Sequence, residues 1–461
     1  MTKENIFAKF QADAELKAFD LKHRKTIAHN MGKYHASVKS GMEQYVNHDL
    51  ARSRASFIKT GSMLNLYKLL LEWEGNFTAN GGKVIWAQNG QEALAAIGHI
   101  ARASKAQMVV KSKSMTSEEI HLNEHLESMG VEPFETDLGE FIVQLAGQKP
   151  YHIVTPAMHM SKEDVSGIFS KHLGTEPTSD PAELTAIARR LMREKYTGAD
   201  IGISGGNFLV ADVGGVALTE NEGNARLSVT FPKIHIAIVG IEKMIPSMMD
   251  LDLFWPLLAT SGTGQNVTVY NTILTGPRQE DERDGPGEMI VILLDNGRSK
   301  LLADPEKRQA LNCIRCGACL NACPVYRNIG GHSYGTTYSG PIGSVISPQY
   351  LGLSSYKHLS YASSLCGGCT AVCPVKIDLH SLLLLNRRQS VQEGLTSGWE
   401  KAGFQVWKRV MLNRRLMNFG GSWLKQTFLD LLFKNTWSKR RIEATLAPKS
   451  FNEQWQKGRR N

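Results

Sequence analysis

The chain contains no apolar run approaching the ~18 to 20 residues that cross a bilayer, and its start, Met1, Thr2, Lys3, Glu4 and Asn5, lacks the charged-then-apolar pattern of a secretory leader. Both absences point to a cytoplasmic protein. No G-x-G-x-x-G segment opens a strand-turn-helix unit, so a flavin fingerprint is missing too. Cysteine is scarce, at seven in 461 residues. A chain of this length supports two or three domains with cores of their own, which excludes a miniprotein built on disulfides. The 42% hydrophobic and 21% charged composition likewise excludes a mostly disordered chain. In a reducing compartment the few thiols point to metal before disulfide.

The net charge of +9 is not spread along the chain. Residues 401–461 hold 14 basic and 3 acidic side chains, a local +11, which leaves the first 400 residues at about −2. Trp423, Leu424, Phe428, Leu431, Leu432 and Phe433 recur near helical spacing there, among Lys425, Lys434, Lys439, Arg440 and Arg441. Such a helix suits an anionic membrane surface or a partner, and equally the protein's own core. No nucleic-acid motif accompanies it.

Four regions are expected: a helical segment over 1–75, a layered α/β domain over 76–295, a cysteine-bearing helical domain over 296–390 and a basic helical tail over 391–461. Short apolar runs alternate with helical stretches from Gly81 onward, which is the pattern of an α/β fold. Strands are expected at Lys83 to Ala87, Met108 to Val110, Tyr151 to Val154, Ile234 to Val239 and Met289 to Leu294.

All seven cysteines fall in two groups. The first reads C-x2-C-x2-C-x3-C-P over Cys313, Cys316, Cys319, Cys323 and Pro324, the run of bacterial-type ferredoxins. Two-residue gaps let three thiolates curl round one cubane, while the fourth, past a turn, serves another cluster. The second group reads C-x2-C-x3-C-P over Cys366, Cys369, Cys373 and Pro374, with Ser363 where a leading cysteine would stand. Crossing the fourth ligands assigns Cys313, Cys316, Cys319 and Cys373 to a complete [4Fe-4S] site, and Cys323, Cys366 and Cys369 to a second site with three thiolates. That second site is open to a [3Fe-4S] cluster, to a [4Fe-4S] cluster with Ser363 or solvent at the fourth iron, or to a ligand from a partner. An oxygen ligand holds iron less firmly than thiolate, so the second site is expected to be the more oxygen-sensitive. Structural zinc fits the run poorly, because zinc sites favour separated pairs.

The flanking helices make this region resemble the α-helical ferredoxin modules of fumarate reductase and glycolate oxidase iron-sulfur subunits. Upstream, the glycine-rich stretch 202–226, followed by Phe231, Pro232, Lys233 and His235, by Ser261 to Gln265, and by Thr275, Gly276, Pro277 and Arg278, resembles the LUD domain. The resemblance implies an α/β LUD-like fold, related to sugar-phosphate isomerases and CoA transferases, joined to an α-helical ferredoxin domain. With the basic tail, the whole chain resembles the LUD-domain iron-sulfur protein family. That implies an electron-transfer subunit of a multi-protein system oxidising L-lactate to pyruvate, with a cysteine-rich partner and a second LUD protein.

Glycine-rich loops at strand ends admit anionic ligands, which nominates a pocket of Asn207, Asp212, Glu220, Asn221 and Arg226. Thr219, Glu220 and Asn221 are also similar to the loop that carries the CoA-transferase nucleophile. Two other functions are carried alongside the relay: an enzyme acting on a small acid in this pocket, and an iron-sulfur redox sensor. His235 and His380, each alone beside an apolar run, are expected to be structural.

Overall fold

The computed structural model describes residues 3–435, 438 and 442–458. Lys439, Arg440 and Arg441 of the expected basic tail lie outside the described residues. Two compact units emerge, Met1–Ser390 and Val391–Asn461.

The first unit is built on a six-stranded, all-parallel sheet in the order β1 (Lys83–Ala87), β10 (Glu288–Leu294), β7 (Ile234–Gly240), β4 (Ile201–Ser204), β2 (Met108–Lys111), β3 (Glu132–Glu135). Parallel strands buried on both faces must be apolar on both, and β7 shows the consequence. Ile236 and Ile238 point to one core, with Ile97 and Leu126, while Ala237 and Val239 point to the other. That second core runs on without a break into the cysteine region, through Ile314, Leu320 and Val345. A smaller sheet in the order β8 (Met244–Ile245), β5 (Phe208–Val210), β6 (Gly215–Glu220), β9 (Tyr270–Leu274) stands beside the first.

Four N-terminal helices, α1 (Lys3–Phe19), α2 (Leu21–Gly41), α3 (His48–Leu64) and α4 (Leu66–Ala79), brace both sheets and the cysteine region. The leucine-rich stretch around Leu64 to Leu71 is broken at Asn65 into α3 and α4. On α4, Trp73 stacks on Phe77 and donates its indole N–H to the Gly215 carbonyl at 2.9 Å. Gly214 must be glycine, because a Cβ there would lie 2.3 Å from the Phe77 nitrogen and its φ is +58°. On α1, Phe10 packs its ring on His358 at 5.0 Å.

One expected strand is absent. Residues 151–154 form a turn: the Tyr151 amide bonds the Pro156 carbonyl, and His152 Nδ1 accepts from the amides of Val154 and Thr155 at 3.1 and 3.3 Å. Side-chain capping of these amides replaces sheet pairing.

His235 is fully buried on β7, with Nε2 2.9 Å from Ser204 Oγ. Burial pushes its imidazole down to about 3. Above the ordinary value of 6.5 both folded and unfolded chains carry it neutral; as pH falls below 6.5 only the unfolded chain gains the proton, so stability is lost. The expected loss is about 1.4 kcal/mol per pH unit from this residue. Denaturant midpoints near pH 7 and near pH 5.5 should diverge less in a His235→Gln chain than in the wild type. His380 is bound locally by Thr370 and Asp378.

The second unit contains helices Gly398–Leu412, Arg414–Asn418, Gly421–Phe433 and Phe451–Gly458, and none of its described residues is buried. Trp399, Trp407, Trp423 and Phe428 are all exposed. Among the described residues, no helix is long and apolar enough to cross a membrane.

Candidate iron-sulfur centres and an adjoining cavity

The two cysteine groups fold as repeats of one backbone motif. Arg315 and Leu365, each just before a cysteine, take left-handed φ values of +62° and +53°. Gly317 and Gly367, each just after it, follow with φ +81° and +78°, and short helices Ala318–Ala322 and Gly368–Ala371 come next. Non-glycine residues rarely hold this conformation without compensation. The compensation here is an amide turned inward, since Arg315 N lies 3.4 Å from Cys313 Sγ. Ser363 holds the equivalent place in the second group, its Oγ accepting from Leu365 N at 3.1 Å. The serine thus replaces the missing cysteine in geometry as well as in sequence.

Cys313, Cys316, Cys319 and Cys373 all line one cavity, with Ile153, Ile342 and Ile377. Its fourth thiol comes from the second group. Arg52 of α3 fastens that group through the carbonyls of Cys373 and Ala371 at 3.0 and 2.7 Å. Cys369 feels the charges of Cys323 and Cys366, which brings the other three thiols together. Among the described residues, no three such side chains close round a single metal ion.

Burial pushes Cys316 and Cys319 above the usual thiol range, and Cys369 and Cys373 up to about 11. Such thiols ionise only against a cation, so metal binding must release their protons. Cationic groups lie close by. Buried Arg315 and Lys243 both sense Cys313, and Arg315 stacks on Tyr338 at 4.4 Å. The donor set and its counter-charges fit iron-sulfur clusters. Cys366 differs: it is exposed, and the Gly368 amide holds its thiol below the usual range. The second site therefore meets solvent at Cys366, whereas the thiols of the first are buried or, at Cys313, half-buried.

Ser363→Cys is accordingly expected to give the second site four thiolates. Iron content should approach about eight per chain, and bleaching of the visible absorbance in air should slow several-fold. Unchanged bleaching would place Ser363 away from the labile iron.

The nominated LUD residues divide. Asn207, Glu220 and Asn221 line a cavity of about 490 Å³. Asp212 and Arg226 do not: Asp212 caps the Met248 amide at 3.0 Å, and the Arg226 side chain is exposed, contributing only its backbone N–H, to Glu220. Glu220 itself accepts from the amides of Ala225 and Arg226 at 2.7 and 2.9 Å. Burial raises its carboxyl against these two amides. A carboxylate tied to a helix start in this way is a cap, not a free nucleophile.

The cavity walls hold groups that sequence spacing did not reveal: Lys113 on the loop after β2, Asp137 on the loop after β3, Glu222, and Arg315 and Cys316 of the first cysteine group. Lys113 Nζ donates to the Val154 carbonyl at 2.7 Å and lies 3.6 Å from Asp137. Burial opposes its charge, but Asp137, Glu140 and Glu222 outweigh burial and raise it. Glu222 keeps much of its side chain open to solvent, while its carboxylate accepts from Leu138 N at 3.0 Å beside Asp137. Desolvation and then Asp137 push it up to about 7. Only the two lysines flanking Ser112, directly after an apolar strand, hinted at this site in the sequence.

An α/β domain carrying a pocket at its strand ends, fused to a helical domain with two thiol sets, defines a LUD-domain iron-sulfur protein. Residues 70–294 match the LUD domain family, and residues 309–377 match the 4Fe-4S dicluster domain family. Lactate utilization protein B from Bacillus cereus (strain AH820) is 46% identical over 364 residues, covering 79% of this chain and 76% of the relative. The proteins of that name from Bacillus thuringiensis (strain Al Hakam) and Bacillus anthracis (strain A0248) give the same figures. This chain belongs to the lactate utilization protein B family. A solved DUF162 family protein from Deinococcus radiodurans covers 50% of this chain and 98% of its own at 12% identity, but its TM-score of 0.29 carries no argument.

Proposed function

We propose that this chain is the iron-sulfur electron-transfer subunit of a multi-protein system that oxidises L-lactate to pyruvate. The observation that carries this reading is the division of the thiols into a set of four round one cavity, three of them buried and Cys313 half-buried, and a set of three in which Cys366 alone is exposed. Such a pair gives an electron an inner and an outer station. Cys313, Cys316, Cys319 and Cys373 would hold a [4Fe-4S] cluster, and Cys323, Cys366 and Cys369, with Ser363 beside them, the second. The clusters supply one-electron transfer when bound. The chain's own residues exclude water from the inner site with Ile153, Ile342 and Ile377, and place Arg315 against its charge.

A cysteine-rich protein and a second LUD protein are the proposed companions, with the exposed Cys366 side as the point of electron exit. The tail's exposed tryptophans and its positive charge suit an anionic membrane surface. The test is anaerobic purification with iron counting and EPR, followed by mixing with the companion proteins and L-lactate. Reduction of both clusters by lactate in the assembled system is expected. Lactate oxidation that proceeds at full rate without this chain would sink the relay.

A further inference from the structure

The 490 Å³ cavity lies within the usual size range of small-molecule sites. It opens at the carboxyl ends of β2, β3 and β4, where parallel α/β sheets receive their ligands. Close packing keeps these loops in place: a Cβ on Gly205, just after β4, would fall 2.8 Å from Ser114 Oγ on the loop after β2.

Two kinds of group face the space. The cations are Lys113 and Arg315. Arg315 is the more telling, since its side chain is only 9% exposed and its Nη1 is buried without a hydrogen-bond partner. Its other nitrogen, Nη2, reaches Glu242 at 3.4 Å. A buried guanidinium nitrogen without a partner, on a residue that lines the cavity, is a strong, unsatisfied donor. The carboxylates are Asp137, Glu220 and Glu222; Glu220 is taken up by the amides of Ala225 and Arg226, while Asp137 and Glu222 are anchored by backbone amides at the start of helix Leu138–Leu145 and therefore fixed in direction. Desolvation and the neighbouring Asp137 also raise the Glu222 carboxyl above its ordinary range.

We infer that this cavity binds a small 2-hydroxy or 2-oxo carboxylate, its carboxylate toward Lys113 and Arg315, its hydroxyl toward Asp137 and Glu222, and its body against the cluster ligand Cys316. Neither a simple cation nor a simple anion matches a wall that offers both signs. A hydroxy acid presents an anion and a hydroxyl donor together. The location of the site rests on geometry alone, whereas lactate and pyruvate as its occupants rest on the proposed function.

The test uses the full chain with its clusters loaded under anaerobic conditions. L-lactate, pyruvate, glycolate and propionate are titrated by calorimetry, and the EPR spectrum of the reduced first cluster is recorded with and without each acid. Saturable binding of at least one hydroxy or oxo acid is expected, with propionate weaker and the first cluster's spectrum perturbed. Lys113→Ala and Glu222→Gln should each weaken that binding roughly tenfold or more, while iron content stays at the wild-type value and shows the variants to be folded. Binding of glycolate but not lactate, lost in Lys113→Ala, upholds the site and removes lactate as its occupant. Binding of none of the four acids, or binding indifferent to both substitutions, overturns the inference. If lactate still reduces the clusters of the assembled system in that case, the electron-transfer role stands without the site.

Discussion

A Cys319→Ser chain purified without oxygen is expected to lose the roughly four irons of the inner site and to pass no electrons from the assembled system to an outside acceptor. Cys319 is 8% exposed and lines the inner cavity with three other thiols. A serine oxygen in this buried, apolar-walled place is a harder and weaker ligand than thiolate. The matching change at the outer site, Cys366→Ser, is expected to leave the inner cluster's EPR signal intact, because Cys366 is exposed and does not line that cavity. Equal iron loss in the two variants would contradict the separation into two sites.

Replacing Arg298 by methionine should have the largest effect on folding. Its guanidinium forms a paired contact with Glu119 at 2.9 and 2.8 Å and a third bond to Glu242 at 2.5 Å, with all three side chains at most 5% exposed. Burial opposes charge on Glu242, but Arg298 and Arg315 outweigh it and hold the carboxyl down at about 2. Without Arg298, two buried carboxylates lose their main counter-charge, an expected cost of about 3–5 kcal/mol. Denaturant unfolding of the cluster-loaded chain measures it. Adding Glu119→Gln to Arg298→Met should recover part of the loss, because a neutral amide no longer needs the cation. Since Glu242 also orients Arg315, the single variant should shift the inner cluster's potential, a change that lost stability alone does not produce.

The grouping of the thiols, which the structure gathers round one cavity and beside Cys366, was legible in the sequence because the motif is local. Three thiolates two residues apart already enclose a cubane, and Ser363 stands out only because a repeat predicts a cysteine there. The cavity was not legible, since Lys113, Asp137, Glu222 and Arg315 come from four distant segments that only the sheet order brings together. The glycine-rich LUD stretch pointed to the right region, and Asn207 and Glu220 do reach the cavity wall. Asp212 and Arg226 are just as polar, but they follow turns that carry them away, to a loop amide and to solvent. Tyr151, Ile153 and Val154 have strand composition, yet His152 captures the two amides that pairing would have used. Apolar residues at these positions serve the core under the inner thiols instead.

The inner cavity takes three thiols from Cys313, Cys316 and Cys319 and its fourth from Cys373, about 60 residues further along. During synthesis the first three leave the ribosome well before the fourth. Iron delivered early would meet an open, three-thiolate mouth on a nascent chain whose closing strap, held in the finished protein by Arg52, is not yet made. Loading of the inner site is thus expected late, after the second group has docked. A cell short of iron is expected to accumulate complete chains whose four inner thiols lack the cluster that would join the two groups, and proteases can tell such chains apart from loaded ones.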